Sequence, residues 1–268
     1  MELLMNLQYE TINFEVVENI AIVRLNRPNS YNSLNAKMAK ELLEISYECD
    51  TNNKIRAIIL TGKGEKAFCA GGDLKSFYEA GNIGKHLKMV THDLHGAITK
   101  FSRMNAPLIV AVNGVAAGAG LSFVGFADLA IAKSSATFVS AYTKAGLTPD
   151  GSSSYYLPRI IGIRKYLELV MTNKVLSSEE ALAWGLLNKV YDDKNFWSEI
   201  LKLAENLSKG PTLAYGKTKR LVHNSLNSTL ETQMELETKM ISESAETNDG
   251  QKGIQAFLKK EKPNFEGK

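Results

Sequence analysis

Two small-residue turns, each fed by an apolar run, constrain this chain more than any other feature. Ala57-Ile58-Ile59-Leu60 leads to Ala67-Phe68-Cys69-Ala70-Gly71-Gly72-Asp73-Leu74, and Pro107-Leu108-Ile109-Val110-Ala111-Val112 leads to Asn113-Gly114-Val115-Ala116-Ala117-Gly118-Ala119-Gly120. Short apolar runs bounded by glycine are buried strands, and a turn without bulky side chains leaves its backbone N–H groups accessible. Two such donors aimed at one point hold a carbonyl oxygen as it gains negative charge. The pattern points to an enzyme that works on an activated acyl group.

The same alternation of signals runs through the first part of the chain. Glu15-Val16-Val17 and Ile20-Ala21-Ile22-Val23-Arg24-Leu25 predict a hairpin turned at Glu18-Asn19. Asn35 is placed to cap an amphipathic helix reaching about Glu48, with Met38, Leu42, Leu43 and Ile45 as its apolar stripe. Ile55–Leu60, Leu108–Val112 and Leu129–Ala132 read as strands, His86–Arg103 as a long helix, and the second turn as the opening of a helix into Phe126. Strand–helix alternation predicts an α/β fold with parallel strands, with chemistry on the loops leaving the strand ends. From about residue 177 the strand signal fades, apart from Leu187–Val190. Ser177-Ser178-Glu179-Glu180 is a capped helix start, and Phe196–Leu207, Pro211–Asn224 and Ser228–Glu246 follow as helices. This divides the chain into an α/β core over 1–195 and a helical subdomain over 196–268. The apolar faces of that tail need the core or another subunit to cover them. A strand–strand–helix recurrence is only weakly visible in the residues.

Composition narrows the partners. The 268 residues, 44% hydrophobic, supply a sizeable core. Lys+Arg 32 against Asp+Glu 29 gives a net charge of +3, too near neutral for a nucleic-acid partner, and no basic run is interleaved with aromatics. Cys49 and Cys69 stand in unrelated contexts, give neither a disulfide framework nor a zinc spacing, and favour a reducing compartment. Met1–Glu18 lacks the basic and apolar blocks of a signal peptide, no apolar run reaches the roughly 18 residues of a membrane span, and Glu266-Gly267-Lys268 is not a peroxisomal address. The expectation is a cytoplasmic protein with neither nucleic acid nor membrane as partner.

Leu25-Asn26-Arg27-Pro28, Asn32-Ser33-Leu34, Ala67 to Leu74, Asn113-Gly114, Gly118-Ala119-Gly120 and Ala127-Asp128 fall in an order and spacing that resembles the crotonase superfamily, the enoyl-CoA hydratase/isomerase family. The likeness extends to Gly162, the helix start at Ser177, Ala183-Trp184-Gly185-Leu186 and the basic C-terminal tail. The resemblance implies a crotonase-like spiral of strand-strand-helix turns, with C-terminal helices that assemble a homotrimer or a dimer of trimers. It implies acyl-CoA thioester substrates, with coenzyme A as part of the substrate and no further cofactor or metal. It implies an oxyanion hole made by the N–H groups of Gly72 and Ala119. Ala70, Gly71, Gly72, Asp73, Leu74 and Lys75 are then expected along the adenine and pantetheine arm, and Phe257 and Lys260 resemble tail residues that reach CoA, in the same or a neighbouring subunit.

Hydratases of this family use two glutamates on water. Counted from Gly118-Ala119-Gly120, their places fall on Ser122 and Tyr142, neither of which serves as a carboxylate base. One acid remains, Asp150, in Gly146-Leu147-Thr148-Pro149-Asp150-Gly151-Ser152-Ser153-Ser154-Tyr155. Its place resembles that of the single carboxylate in peroxisomal-type Δ3,Δ2-enoyl-CoA isomerases and in ring-1,2-epoxyphenylacetyl-CoA isomerase. One carboxylate suffices for a 1,3-proton shift: it takes a proton from C2 and returns it at C4 while the oxyanion hole carries the charge. The expected activity is therefore conversion of a 3-enoyl-CoA to a 2-enoyl-CoA with Asp150 as proton shuttle. Enoyl-CoA hydratase, the ring-epoxide isomerase and a non-catalytic acyl-CoA-binding protein are the alternatives.

Each candidate also has a structural reading. Pro149-Asp150-Gly151 is a good turn and N-cap. Asp73 is placed to cap the first turn, and Asp128 to brace a strand. Tyr142 fits the acyl pocket or plain packing. His92 and His95 form a ligand-like pair on a helix without an evident third ligand, so a solvated face is the simpler reading; His86 and His223 read as surface residues. Phe77, Tyr78, Leu87 and Leu94 suit an acyl-pocket wall or core, and Lys259-Lys260-Glu261-Lys262 suits a CoA phosphate or a solvated tail.

Overall fold

A computed structural model describes the backbone of residues 3–268 and the side chains from Gln8 on; of the segment Met1–Glu18 considered above, Met1 and Glu2 lie outside the described residues. The chain runs β1 (Leu3–Gln8), β2 (Ile12–Val17), β3 (Ile20–Leu25), α1 (Ala36–Thr51), β4 (Ala57–Gly62), β5 (Ala67–Cys69), α2 (Leu74–Glu79), α3 (Ile83–Arg103), β6 (Leu108–Val112), β7 (Val115–Ala117), α4 (Ala119–Phe126), β8 (Leu129–Lys133) and β9 (Thr137–Val139). It continues through α5 (Ser153–Ile161), α6 (Ile163–Thr172), β10 (Leu176–Ser177), α7 (Ser178–Ala183), β11 (Lys189–Tyr191), α8 (Phe196–Ser208), α9 (Thr212–Ser225), α10 (Leu230–Ala245) and α11 (Asn248–Lys259).

Two sheets carry the architecture. The larger has the order β1-β2-β3-β4-β6-β8-β11 and the smaller β10-β9-β7-β5. Three times the chain makes a strand in the large sheet, a strand in the small one, and then a helical segment: β4, β5 and α2–α3; β6, β7 and α4; β8, β9 and α5–α6. The successive large-sheet strands pair in parallel, as do the small-sheet strands. An earlier, abbreviated turn leads from β3 through an isolated parallel bridge between Leu34 and Gly72 into α1. This is the crotonase-like α/β spiral. Its recurrence is plain in the backbone pairing because the repeat is carried by register, not by residue identity.

The central strands β4 and β6 are buried along their whole length, which is why they read as continuous apolar runs rather than alternating ones. Met38, Leu42, Ile45, Leu94, Ile98 and Phe101 from α1 and α3 join Ile58, Leu60 and Val110 in the main core. On the other side, Phe196, Ile200 and Ala204 of α8 cluster with Ile22, Ile59, Ile109 and Ile131.

Local signals act where the residues predict. Asn35 caps α1 by accepting the Met38 N–H at 2.9 Å. Ser177 and Glu180 form a capping box at α7. Glu18 takes a left-handed φ of 53° in the β2–β3 turn. The limits shift where tertiary contacts decide. β2 begins at Ile12, ahead of Glu15, because Glu41, buried on α1, holds the turn before it by accepting the Glu10 and Thr11 N–H groups at 2.9 Å each. α3 begins at Ile83, where Asn82 caps it, three residues before His86. α11 forms where the residues give only a basic tail: Thr247 caps it, and Asp249 accepts the N–H groups of Glu266 and Gly267 at 2.7 Å each, folding the terminus back.

Candidate active site

The two glycine turns meet. Gly71 has φ 105° and Gly118 φ 50°, conformations that a side chain would strain. Their Cα atoms lie so close that a Cβ on Gly118 would stand 3.2 Å from the Gly71 Cα. A Cβ on Gly120 would stand 2.1 Å from the Cys69 carbonyl oxygen, so the first turn of α4 packs directly on the end of β5. Small residues are required here because one turn is the other's packing surface.

That contact leaves main-chain donors at the junction. The Leu34 N–H donates to the Gly71 carbonyl at 2.7 Å, and the Asp73 N–H donates to the Leu34 carbonyl at 2.8 Å. The Gly72 N–H, between them, takes no part in this bridge. Ala119 is the first residue of α4, and a helix leaves its first N–H groups without internal partners; the positive end of the helix dipole lies there too.

A cavity of about 300 Å³ opens at this junction. Ala70, Gly71, Gly72, Leu74, Gly118, Ala119, Tyr142 and Asp150 are on its wall, and Leu34, Phe77, Leu87, Val90 and Leu94 give it an apolar lining. Of the four residues expected on a pocket wall or in the core, Phe77, Leu87 and Leu94 line the cavity and also pack in or against the main core, whereas Tyr78 points to solvent, 76% exposed. Asp73 and Lys75 sit beside the turn and not on the wall. Asp73 caps α2 through the Ser76 N–H and accepts Arg27 Nη2 at 2.8 Å. Burial alone would raise its pKa, but the Arg27 and Ser76 hydrogen bonds outweigh that and hold the carboxyl below its ordinary range. Phe257 and Lys260 lie on the exposed end of α11, away from the cavity wall of their own chain.

The two positions without acids have a different task. Ser122, fully buried, donates from Oγ to the Asp150 carbonyl at 2.8 Å. Tyr142 Oη lies 3.1 Å from Ser122 Oγ and 3.3 Å from the same carbonyl. Ser122 Oγ also lies 3.2 Å from the Gly118 carbonyl; each hydroxyl has one hydrogen, so with Ser122 donating to the nearer Asp150 carbonyl, Tyr142 donates to Ser122 or to that same carbonyl. Burial pushes the Tyr142 phenol well above its ordinary pKa, with the Ser122 hydrogen bond opposing only in part, so it stays neutral. Gly151 allows the close approach: a Cβ there would stand 3.0 Å from the Ser122 Cβ.

The Asp150 side chain does not cap α5. The N-cap residue is Ser152, without a side-chain cap bond, which corrects the capping alternative. Instead Asp150 Oδ1 lies 2.9 Å from Nε2 of His95 on α3. The solvated-face reading of His95 therefore misses its main contact. A signal existed in the helix register: Leu87, Val90, Thr91 and Leu94 line the cavity, and His95 follows Leu94 and lies one turn after Thr91. As for the His92–His95 ligand pair, among the described residues no group of three or more His, Cys, Asp or Glu side chains is arranged to hold a metal ion.

The remaining candidates are structural. Asp128 accepts the Leu108 N–H and pairs with Lys219, both at 2.7 Å. His86 and His223, expected at the surface, are half-buried. The His86 ring lies 5.6 Å from Phe77 and the His223 ring 5.6 Å from Tyr156. Burial lowers the His223 pKa.

The sequence profile described as enoyl-CoA hydratase/isomerase matches residues 15–268. The chain belongs to this family. It is 34% identical over 264 residues to the 1,2-epoxyphenylacetyl-CoA isomerase of Escherichia coli strain K12, covering 97% of this chain and 99% of that protein. It is also 34% identical over 232 residues to 4-chlorobenzoyl coenzyme A dehalogenase-2 of an Arthrobacter species, covering 86% and 84%. The crystal structure of an enoyl-CoA hydratase from Bacillus anthracis superposes with a TM-score of 0.90 at 28% identity, covering 97% of this chain and all of that one. The proteins this chain is similar to thus carry names for hydration, isomerisation and dehalogenation.

Proposed function

We propose that this acyl-CoA enzyme shifts a carbon–carbon double bond, converting a 3-enoyl-CoA to the conjugated 2-enoyl-CoA. The observation that carries the reading is a single carboxylate on an apolar cavity whose two neighbouring polar positions, Ser122 and Tyr142, are neutral hydroxyls. The thioester oxygen accepts from the N–H groups of Gly72 and Ala119. Asp150 removes a proton from C2, the electrons pass into the thioester as an enolate, and the protonated Asp150 returns the proton at C4. Preset donors stabilise the enolate oxygen because they need no reorganisation as charge develops. Water addition needs a second group to position the nucleophile, and the neutral hydroxyls at 122 and 142 are engaged with each other and with the Asp150 carbonyl.

Coenzyme A enters as part of the substrate, with Ala70 to Lys75 along its arm and Phe257 and Lys260 reaching it from the tail. The reading includes a homotrimer or dimer of trimers built through the helical subdomain 196–268. Exposed Leu230, Ile241 and Phe257, at 68%, 71% and 83%, support self-association there. Two free, buried cysteines fit a reducing cytoplasm. The test is incubation of the purified protein with a 3-enoyl-CoA while following the conjugated product. Turnover that disappears in Asp150→Asn supports the reading, and efficient hydration of a 2-enoyl-CoA that survives in Asp150→Asn rejects it.

The His95–Asp150 contact favours a second reading, halide displacement from an aryl-CoA, the reaction class named for the Arthrobacter relative. There Asp150 bonds to the ring carbon as halide leaves, and water, giving a proton to His95, frees the hydroxylated ring and restores the carboxylate. Chloride release from 4-chlorobenzoyl-CoA tests it.

A further inference from the structure

We propose that His95 is a proton relay between Asp150 and solvent, so that the proton taken from C2 is exchanged before it is returned at C4. The inference rests on the reading of Asp150 as the shuttle. The geometry that carries it is an asymmetry in how Asp150 is held. Its carbonyl is fixed from inside the protein by Ser122 and Tyr142. Among the described residues, its carboxylate is hydrogen-bonded to His95, whose Nε2 is 2.9 Å from Oδ1. The His95 side chain is 51% exposed and Asp150's is 36% exposed. One imidazole therefore touches both the acid on the cavity wall and bulk water.

An imidazole in that position does what a second carboxylate would not. Each ring nitrogen can carry a hydrogen, so the imidazolium holds the carboxyl hydrogen on Nε2, where water can replace it once the ring leaves Oδ1. Once Asp150 has taken the C2 proton, its O–H donates to Nε2 of the tautomer that carries hydrogen on Nδ1. The carboxyl proton moves to Nε2, and the resulting imidazolium, on a half-exposed side chain, exchanges that Nε2 hydrogen with water as it swings off Oδ1. When the ring returns, Nε2 gives Asp150 a hydrogen taken from solvent and restores the neutral acid, which then protonates C4. Protons balance at every stage, and no other reactant is consumed.

Carboxylate position and proton exchange are separable by substitution. Gln at position 95 keeps an N–H donor for Asp150 yet cannot pass a proton through its side chain; Leu removes both properties. His95 is half exposed on the outer flank of α3, and thermal melts of both variants report folding directly.

The experiment uses a 3-enoyl-CoA carrying deuterium at C2, turned over in ordinary water, with deuterium at C4 of the product read by mass spectrometry. The expected result is extensive washout in the wild type. In folded His95→Gln, scored per product formed at whatever turnover remains, most of the deuterium is expected to stay in the product at C4. His95→Leu lowers both washout and kcat, with little change in KM. Washout in His95→Gln equal to that of the wild type overturns the relay and leaves the shuttle standing. Turnover that persists in Asp150→Asn, or no turnover by the wild type, overturns the shuttle and the relay with it.

Discussion

One region of the cavity presents main-chain atoms and another presents side chains, and the two are secured differently. At the glycine junction, the N–H groups of Gly72 and Ala119 are set by backbone pairing, by the start of a helix and by the contact of Gly71 with Gly118. No side chain can be deleted to remove them. At Asp150, position depends on a short chain of hydrogen bonds from Tyr142 and Ser122 to a carbonyl, and from His95 to a carboxylate. The comparison teaches where variation is tolerated within one fold. The backbone region is locked because a Cβ collides there. The side-chain region is held by hydrogen bonds that single substitutions change one at a time.

The largest effect should come from removing the acid. Asp150→Asn is expected to lower isomerase kcat by about 10²–10⁴ while KM changes little, measured by steady-state formation of the conjugated product. Next is the backbone region. Gly118→Ala adds a Cβ at φ 50° and 3.2 Å from the Gly71 Cα. It should cost about 1–3 kcal/mol of stability and, by displacing the Ala119 N–H, about 10²–10³ in kcat. Denaturant unfolding and kinetics together check it, and an unaltered kcat would break the contrast between the two regions.

Ser122→Ala should have a smaller effect, about 1 kcal/mol in stability and roughly tenfold in kcat, because Tyr142 Oη remains within reach of the Asp150 carbonyl. Tyr142→Phe should do less still, and the double variant more than the sum of both, a coupling that a double-mutant cycle measures. The smallest effect concerns the clamp beside the glycine turn. Asp73 is held below its ordinary pKa by Arg27 and Ser76 against the opposing effect of burial. Its contribution to stability is therefore fully present above the unfolded-state value of about 3.9 and is lost as pH falls through the lower native value. Arg27→Ala should remove most of that acid-side dependence in unfolding measured from neutral pH downward.

Strands β2, β3, β4, β6, β8 and β11, the caps at Asn35 and Ser177, and the two glycine turns were legible because each is written in contiguous residues, whereas β1 and the short strands of the small sheet were not. The turns were legible as sites because small residues there have few other uses. What the residues did not disclose are couplings across the chain. Glu41 reads as a polar helix position, yet it is buried because the Glu10–Thr11 backbone needs an acceptor. His95 and Asp150 are separated by 55 positions, and nothing local to either marks the other; only the placement of α3 along the cavity that Asp150 also lines brings them together. The capping reading of Asp150 was reasonable for Pro-Asp-Gly and failed because the helix is entered two residues later, with Ser152 at the N-cap. The same shift frees the Asp150 carboxylate for His95.

The most direct measurement is a crystal structure of the protein with a saturated, unreactive acyl-CoA. The account predicts the thioester oxygen about 2.7–3.1 Å from both the Gly72 and Ala119 nitrogens, with C2 and C4 each within reach of an Asp150 carboxylate oxygen. A thioester oxygen bound to neither amide, or an acyl chain lying outside the reach of Asp150, would contradict it.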